Sequence, residues 1–140
     1  MDEENRFKAH YTNTLEDSKR VIHRLENFMV DHAISFSIIN KLLMCVDEIV
    51  TNIVTHAYKD KEEHTVYLES KLENGFITIE FRDDGVAFDP TKRSGPDTTL
   101  SIEDRDIGGL GLHLVKKLMD KMEYAREGDY NVLKITKKIQ

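Results

Sequence analysis

The sequence contains little of what several classes of protein require. Its 140 residues include a single cysteine, Cys45, so an internal disulfide is excluded and a reducing cytoplasm is expected. No stretch approaches the about 20 consecutive apolar residues of a membrane-spanning helix, and the acidic residues 2–4 are unlike the start of a signal peptide. We expect one cytoplasmic domain over residues 1–140, without membrane contact and with its own apolar core.

Clusters of basic residues and pairs of metal ligands are also missing. The 20 lysines and arginines are scattered among 26 acidic residues, and the net charge of −6 argues against direct nucleic-acid binding. The six histidines form no pair at zinc-ligand spacing, so a structural zinc site is not expected. The P-loop signature is absent, and no GxGxxG follows a strand in a βαβ unit. Any phosphate site must therefore belong to another nucleotide fold.

Alternation of apolar and polar residues predicts five strands. The Asn74-Gly75 pair between two alternating runs is a strong hairpin signal, and Gly128-Asp129 joins a second pair of runs near the end of the chain. The predicted strands cover residues 5–13, 65–72, 76–81, 123–126 and 132–137.

Helical spacing of apolar residues predicts three helices. The first begins after Thr14 and runs to about residue 32, the second covers about residues 35–57, and the third contains apolar positions from Leu110 to Met122. The predicted order is strand, two helices, hairpin, loop, helix and hairpin. It indicates a two-layer α+β fold, with about three helices on one face of a mainly antiparallel or mixed sheet.

The segment before the third helix is unusually rich in turn-forming residues. Both prolines, Pro90 and Pro96, and five of the seven glycines lie between Asp83 and Gly111. A loop of about 20 residues is uncommon inside a compact domain, and it usually serves as a lid or a binding loop. We predict a mobile lid over about residues 87–107, with a simple surface excursion as the alternative.

One face of the second helix carries groups suited to chemistry. Glu48 and Asn52 lie one turn apart, opposite an apolar stripe, so a carboxylate and a carboxamide could hold a cation and accept a proton. A solvated helix face produces the same pattern, and this helix alone does not distinguish the two.

Two further groups flank the predicted lid. Asp83 follows a strand and could present its carboxylate to a ligand amino group, although Asp-Asp-Gly is also ordinary turn chemistry. The glycines of the Gly108–Gly111 segment open the third helix, where unpaired backbone N–H groups can bind phosphate. They could equally serve tight packing.

Together these segments resemble the GHKL ATPase superfamily, whose members have the Bergerat ATP-binding fold. The resemblance rests on Glu48-x-x-x-Asn52-x-x-x-His56-Ala57, on Asp83-x-Gly85 and on Gly109-Leu110-Gly111-Leu112, in that order. Within the superfamily the chain is most similar to the small bacterial anti-sigma factor serine/threonine-protein kinases of the switch-protein type, which are stand-alone domains of this length.

The resemblance implies ATP or ADP and Mg²⁺ as ligands and assigns roles to matching positions. Asn52 would coordinate Mg²⁺, and Glu48 would be the general base toward a serine hydroxyl or water. Asp83 would accept a hydrogen bond from the adenine amino group, and Gly85 would line the base pocket. The residues that would hold phosphates under the closed lid are Gly109, Leu110, Gly111, Leu112 and Arg105.

The match departs from the family pattern at one position, and three functions stay open. Ala87 stands where Asp-x-Gly-x-Gly has its second glycine, a change that could narrow the pocket without abolishing binding.

The first of the three functions is a kinase that phosphorylates a serine of a STAS-type anti-sigma antagonist and sequesters a sigma factor. The resemblance also implies a cognate serine phosphatase as a further partner and a homodimer as the assembly. The second is a non-catalytic module in which ATP orders the lid and sets partner affinity. The third is a remnant that binds no nucleotide.

Overall fold

The alternating segments of the sequence fold into five strands that form one antiparallel sheet. The computed structural model describes residues 4–60, 62–92 and 112–140. The strands are β1 (Arg6–Thr12), β2 (Thr65–Glu73), β3 (Phe76–Asp83), β4 (Lys121–Glu127) and β5 (Tyr130–Lys138). Their order in the sheet is β1-β2-β3-β5-β4, with every neighbouring pair antiparallel. All five predicted strands are confirmed, and so is the Asn74-Gly75 turn, whose two residues have φ angles of 54° and 81°.

Two long helices cover one face of this sheet, as predicted. They are α1 (Leu15–Asp31) and α2 (Phe36–His56). The side chain of Thr14 caps α1 by accepting a hydrogen bond from the Asp17 N–H at 3.1 Å, and Ser35 caps α2 in the same way. Residues 112–118 are also helical and are called α3. No helix in the described ranges is long and apolar enough to cross a membrane.

The predicted end of the third helix is wrong. Met122 lies in β4, where it pairs with Ile135, because the spacing of Leu118, Met119 and Met122 suits a helix and an inward-facing strand residue equally well. The chain leaves the helix before that point, since the Asp120 N–H donates to the Thr136 carbonyl of β5 at 2.9 Å.

The core lies between the two helices and the inner face of the sheet. The apolar stripe predicted for α2 is buried from Leu42 to Ile53, and it packs against inward-facing residues of β2, β3 and β5. Cys45 is fully buried in this core, and burial raises the pKa of its thiol to about 11. This residue is therefore an unreactive core side chain.

The sheet register brings one end of α2 and the ends of two central strands together. Asp83, the last residue of β3, pairs with Asn131 near the start of β5. The Val86 N–H just beyond β3 donates to the Ala57 carbonyl at the end of α2, at 2.8 Å. The residues predicted to bind a ligand from α2 and from β3 are thus carried to one place by packing and strand pairing.

Candidate functional site

A cavity of about 250 Å³ lies between the second half of α2, the end of β3 and the strands β4 and β5. Most of its walls are apolar, and its polar side chains come from α2, β3, β4 and β5. A mostly apolar pocket with a few convergent polar groups is typical of a small-molecule site. The lining residues are Ile49, Asn52, Ile53, His56, Ala57, Asp83, Val86, Ala87, Phe88, Pro90, Leu112, Tyr124, Asn131 and Leu133.

Three of the predicted ligand-binding residues line this cavity: Asn52, Asp83 and Leu112. Ala87, the departure from the family pattern, lines it as well, so its methyl group is placed where it can contact a ligand. Gly109, Leu110, Gly111 and Arg105 lie outside the described residues, as does the predicted lid beyond residue 92.

The carboxyl group of Asp83 is the most buried charged group of the cavity. Its residue is 5% exposed, and its Oδ1 accepts hydrogen bonds from the Gly85 N–H at 2.9 Å and from Asn131 Nδ2 at 3.0 Å. Oδ2 is therefore the oxygen left to accept a hydrogen bond from a ligand. Burial raises the pKa of Asp83, and the hydrogen bonds from Asn131 and Gly85 oppose this rise.

Asn131 holds that carboxyl group in place, and it is not among the site residues that the sequence predicts. Its Nδ2 donates both to Asp83 Oδ1 and to the Val86 carbonyl at 2.8 Å. Its Oδ1 accepts from the Tyr124 hydroxyl and, at 3.3 Å, from the Phe88 N–H. Starting the last strand at Val132 excluded Asn131 from the pattern. The alternation of Asn131, Leu133 and Ile135 is the signal that places it on the inner face.

Gly85 is required by a close contact with α2. A Cβ atom at this position would lie 2.4 Å from the Ala57 carbonyl oxygen and 2.6 Å from the Ala57 Cβ, both impossible distances. Only glycine therefore allows the turn after β3 to approach α2 and form the hydrogen bond from Val86 to Ala57. Gly85 does not line the cavity, but it borders a shallow concavity beside it.

Asn52 and Glu48 supply oxygen atoms on α2. Asn52 Nδ2 donates to the Glu48 backbone carbonyl at 2.7 Å, so Oδ1 is the amide atom left for a ligand in the cavity. The side-chain Oε2 of Glu48 is buried and has no hydrogen-bond partner among the described residues, although Glu48 itself does not line the cavity. Amide oxygens are among the ligands that Mg²⁺ accepts in proteins, so Asn52 Oδ1 fits a Mg²⁺ bound in the cavity.

His64 forms a cluster with two aspartates and a tyrosine next to the cavity. The Nε2 atom of His64 lies 2.7 Å from Asp60 Oδ1, and its Nδ1 lies 3.3 Å from Asp84 Oδ1. The ring stacks on Tyr58, with centroids 4.1 Å apart. The hydrogen bond with Asp60 raises the pKa of His64 and lowers that of Asp60. Since Asp84 adjoins Asp83, the cluster ties the loop after α2 to the base of the cavity.

Comparison with protein families gives one match over most of the chain. Residues 11–137 match the sequence model of a family described as a histidine kinase-like ATPase domain. Among individual proteins, the serine/threonine-protein kinase BtrW of Bordetella bronchiseptica is 32% identical over 95 residues, which are 68% of this chain and 67% of that protein. The serine-protein kinase RsbW of Listeria monocytogenes is 35% identical over 99 residues, covering 67% of this chain and 63% of RsbW. The chain thus spans about two thirds or less of the length of these relatives.

Solved structures show the same fold at low sequence identity. The chain superposes on a Mycobacterium tuberculosis protein with RsbU and RsbW domains with a TM-score of 0.68 and 14% identity, over 96% of this chain and 32% of that one. A blue-light activated histidine kinase of Erythrobacter litoralis gives a TM-score of 0.54 at 19% identity, covering 76% of this chain and 32% of the kinase. The helices and the antiparallel sheet are therefore those of an established architecture.

Proposed function

Since the chain belongs to the family of histidine kinase-like ATPase domains, we propose that it is an anti-sigma-type regulatory serine kinase that binds ATP in the cavity between α2 and the sheet. It transfers the γ-phosphate of ATP to a serine of a STAS-type anti-sigma antagonist and sequesters a sigma factor. The observation that carries the nucleotide site is the buried Asp83 carboxyl group, whose Oδ2 is the acceptor in a mostly apolar cavity. The curated relatives named as serine kinases support the reaction type.

The adenine base occupies the apolar part of the cavity in this proposal. Ile53, Val86 and Leu112 offer apolar surface to a planar ring, and Asp83 Oδ2 accepts a hydrogen bond from the exocyclic amino group. A buried hydrogen bond to a charged acceptor contributes roughly 1.5–3 kcal/mol, so this contact sets both affinity and orientation.

The phosphates extend from the base along α2 toward Asn52 and Glu48. Asn52 Oδ1 would hold Mg²⁺, directly or through water. Bound there, Mg²⁺ would neutralise charge on the phosphate oxygens. Asn52 contributes orientation as well, because its Nδ2 bond to the Glu48 carbonyl fixes the direction of the amide.

Glu48 acts as the general base of the transfer. Its carboxylate takes the proton of the serine hydroxyl as that oxygen bonds to the γ-phosphorus, while the bond to the β-phosphate oxygen breaks and ADP leaves. The unpartnered Oε2 of Glu48 is suited to this role, since no intramolecular hydrogen bond within the described part of the chain competes for it.

The experiment is a γ-phosphate transfer assay with STAS-type antagonists of the same organism as substrates. Glu48→Gln is expected to lower the transfer rate by about 10²–10⁴-fold while leaving the affinity for ADP nearly unchanged. Glu123→Gln, a change at an exposed residue of β4 that contacts Lys134, is the matched control and should transfer normally. Normal transfer by Glu48→Gln would remove Glu48 from the mechanism.

A second candidate function is a non-catalytic module in which bound ATP sets the affinity for a protein partner. It is favoured by one observation: Glu48 does not line the cavity, so its carboxylate is not positioned against a nucleotide there. This alternative predicts Mg·ATP binding and nucleotide-dependent binding of a sigma factor, with no phosphate transfer even when the antagonist is present.

A further inference from the structure

Asn131 occupies a position from which it can decide which bases the cavity accepts. We propose that Asn131 is a positioning residue that keeps Asp83 a hydrogen-bond acceptor, so that the cavity selects a base with an exocyclic amino group over one with an oxo group at that position. The selected base is adenine, and the rejected one is hypoxanthine. The inference rests on the proposed nucleotide site.

The direction of the Asn131 amide is itself fixed by the backbone. Its Nδ2 faces the Val86 carbonyl at 2.8 Å, which can only accept, and its Oδ1 faces the Phe88 N–H at 3.3 Å, which can only donate. In the reversed orientation, Asn131 Oδ1 would face the Val86 carbonyl oxygen and Nδ2 would face the Phe88 N–H, so neither hydrogen bond could form. The Tyr124 hydroxyl could adapt to either direction, so the two backbone groups determine the orientation.

This fixed donor determines where a proton can sit on Asp83. Oδ1 accepts from Gly85 at 2.9 Å and from Asn131 at 3.0 Å, so a proton on that oxygen would displace one of the two N–H groups. A proton would therefore be added at Oδ2, the oxygen left to contact a ligand. The carboxylate accepts from an amino group, whereas the acid protonated at Oδ2 donates to an oxo group.

Opposing effects act on the protonation state of Asp83. Burial raises the pKa of Asp83 and favours the acid, while the two N–H groups on Oδ1 favour the carboxylate. Asp84 next to it also favours the acid, and Arg126, whose Nη1 donates to the Gly85 carbonyl at 2.9 Å, favours the carboxylate. Loss of the Asn131 donor shifts the balance toward the acid, and with it toward bases that carry an oxo group.

The test compares two variants of nearly the same shape, Asn131→Thr and Asn131→Val. Both lose the bond to the Val86 carbonyl and both suit a strand, but only threonine keeps a hydroxyl donor for Asp83. Calorimetric titration gives the affinities for ADP and for IDP with Mg²⁺ near pH 7. We expect the ratio of ADP affinity to IDP affinity to fall about tenfold more in Asn131→Val than in Asn131→Thr.

Glu123→Gln is the control variant. It changes an exposed residue of β4 that contacts Lys134 and does not line the cavity, so the ADP to IDP ratio should stay as in the unaltered protein. Equal loss of both nucleotides in Asn131→Val and Asn131→Thr, with an unchanged ratio, would overturn the inference and leave the nucleotide site standing. No binding of either nucleotide by the unaltered protein would overturn the nucleotide site itself, and the inference with it.

The unaltered protein provides a measurement that needs no variant. Its preference for ADP over IDP should decrease as the pH falls toward the raised pKa of Asp83, because the protonated acid donates a hydrogen bond to the oxo group of IDP. A preference that stays constant from neutral pH down to the lowest pH at which the protein remains folded would contradict the inference, whether or not the Asn131 variants fold.

Discussion

Replacing Gly85 by alanine places a methyl group where the end of α2 already lies. The added Cβ would be 2.4 Å from the Ala57 carbonyl oxygen and 2.6 Å from the Ala57 Cβ, so either the turn after β3 or the end of α2 must move. Overpacking of this kind costs about 1–3 kcal/mol, and the hydrogen bond from Val86 to Ala57 contributes about 1 kcal/mol that a shifted turn would lose.

We therefore expect Gly85→Ala to lower the free energy of unfolding by about 2–4 kcal/mol, which corresponds to a fall in Tm of roughly 10 °C for a domain of this size. The measurement is thermal and denaturant unfolding followed by circular dichroism. The same movement displaces the Gly85 N–H from Asp83 Oδ1, so ADP affinity measured below the transition should fall as well.

Gly128→Ala is the matched control. At Gly128 an added Cβ meets nothing within 4 Å, and only its φ of +60° is unfavourable for alanine, at a cost of about 1 kcal/mol. Ala57→Gly added to Gly85→Ala should restore part of the stability, since it removes the contact at 2.6 Å but leaves the one at 2.4 Å. If Gly85→Ala lowers the free energy of unfolding no more than Gly128→Ala does, the close approach to α2 does not explain why position 85 is a glycine.

The remaining predictions concern charge and metal at the cavity. Asp83→Asn should weaken ADP binding by about 100-fold in calorimetry, because it removes the buried charged acceptor, while Asp84→Asn should have a much smaller effect. Asn52→Ala should weaken ADP binding about tenfold with Mg²⁺ present and change it little with EDTA, whereas an equal loss in both would argue against metal coordination. His64→Gln tests the ion pairs with Asp60 and Asp84. Because the folded-state pKa of His64 is raised, their contribution is complete below the ordinary histidine pKa of about 6.5 and is lost as the pH rises through the raised value. The Tm difference between the unaltered protein and His64→Gln should therefore shrink with rising pH, and a constant difference would contradict this assignment.

The spacing of apolar residues and the turn residues predict most of the helices and strands, because these elements depend on which side chains face the core and on local backbone angles. The stripe from Leu42 to Ile53 indicates a helix with one buried face, and Asn74-Gly75 supplies the two positive φ angles that a tight hairpin needs. The error at Met122 has the same origin, since one apolar residue fits a helical and a strand pattern equally well. Only the pairing of Met122 with Ile135 decides between them.

The polar network of the site could not be read from the sequence in this way. Asp83 and Asn131 are 48 residues apart, and they meet because β3 pairs with β5 and not with β4, the strand that comes first along the chain. Alternation identifies which residues face inward, but it does not identify the strand that lies beside them. The family resemblance places Gly85 in the lining of the base pocket, whereas the close neighbour of Gly85 in the structure is Ala57.

Glu48 and Asn52 raise a question of energy that bears on the choice between the two proposed functions. A buried carboxylate oxygen such as Glu48 Oε2, which has no hydrogen-bond donor among the described residues, costs about 1–3 kcal/mol. Asn52 Nδ2 donates within the helix, so Oδ1 is the amide atom left for a ligand. A proton donor that reaches Glu48 Oε2 would remove the penalty there. A module that binds Mg·ATP without transferring phosphate needs Asp83 and Asn52 but no general base, so loss of transfer in Glu48→Gln would favour the kinase over the non-catalytic module.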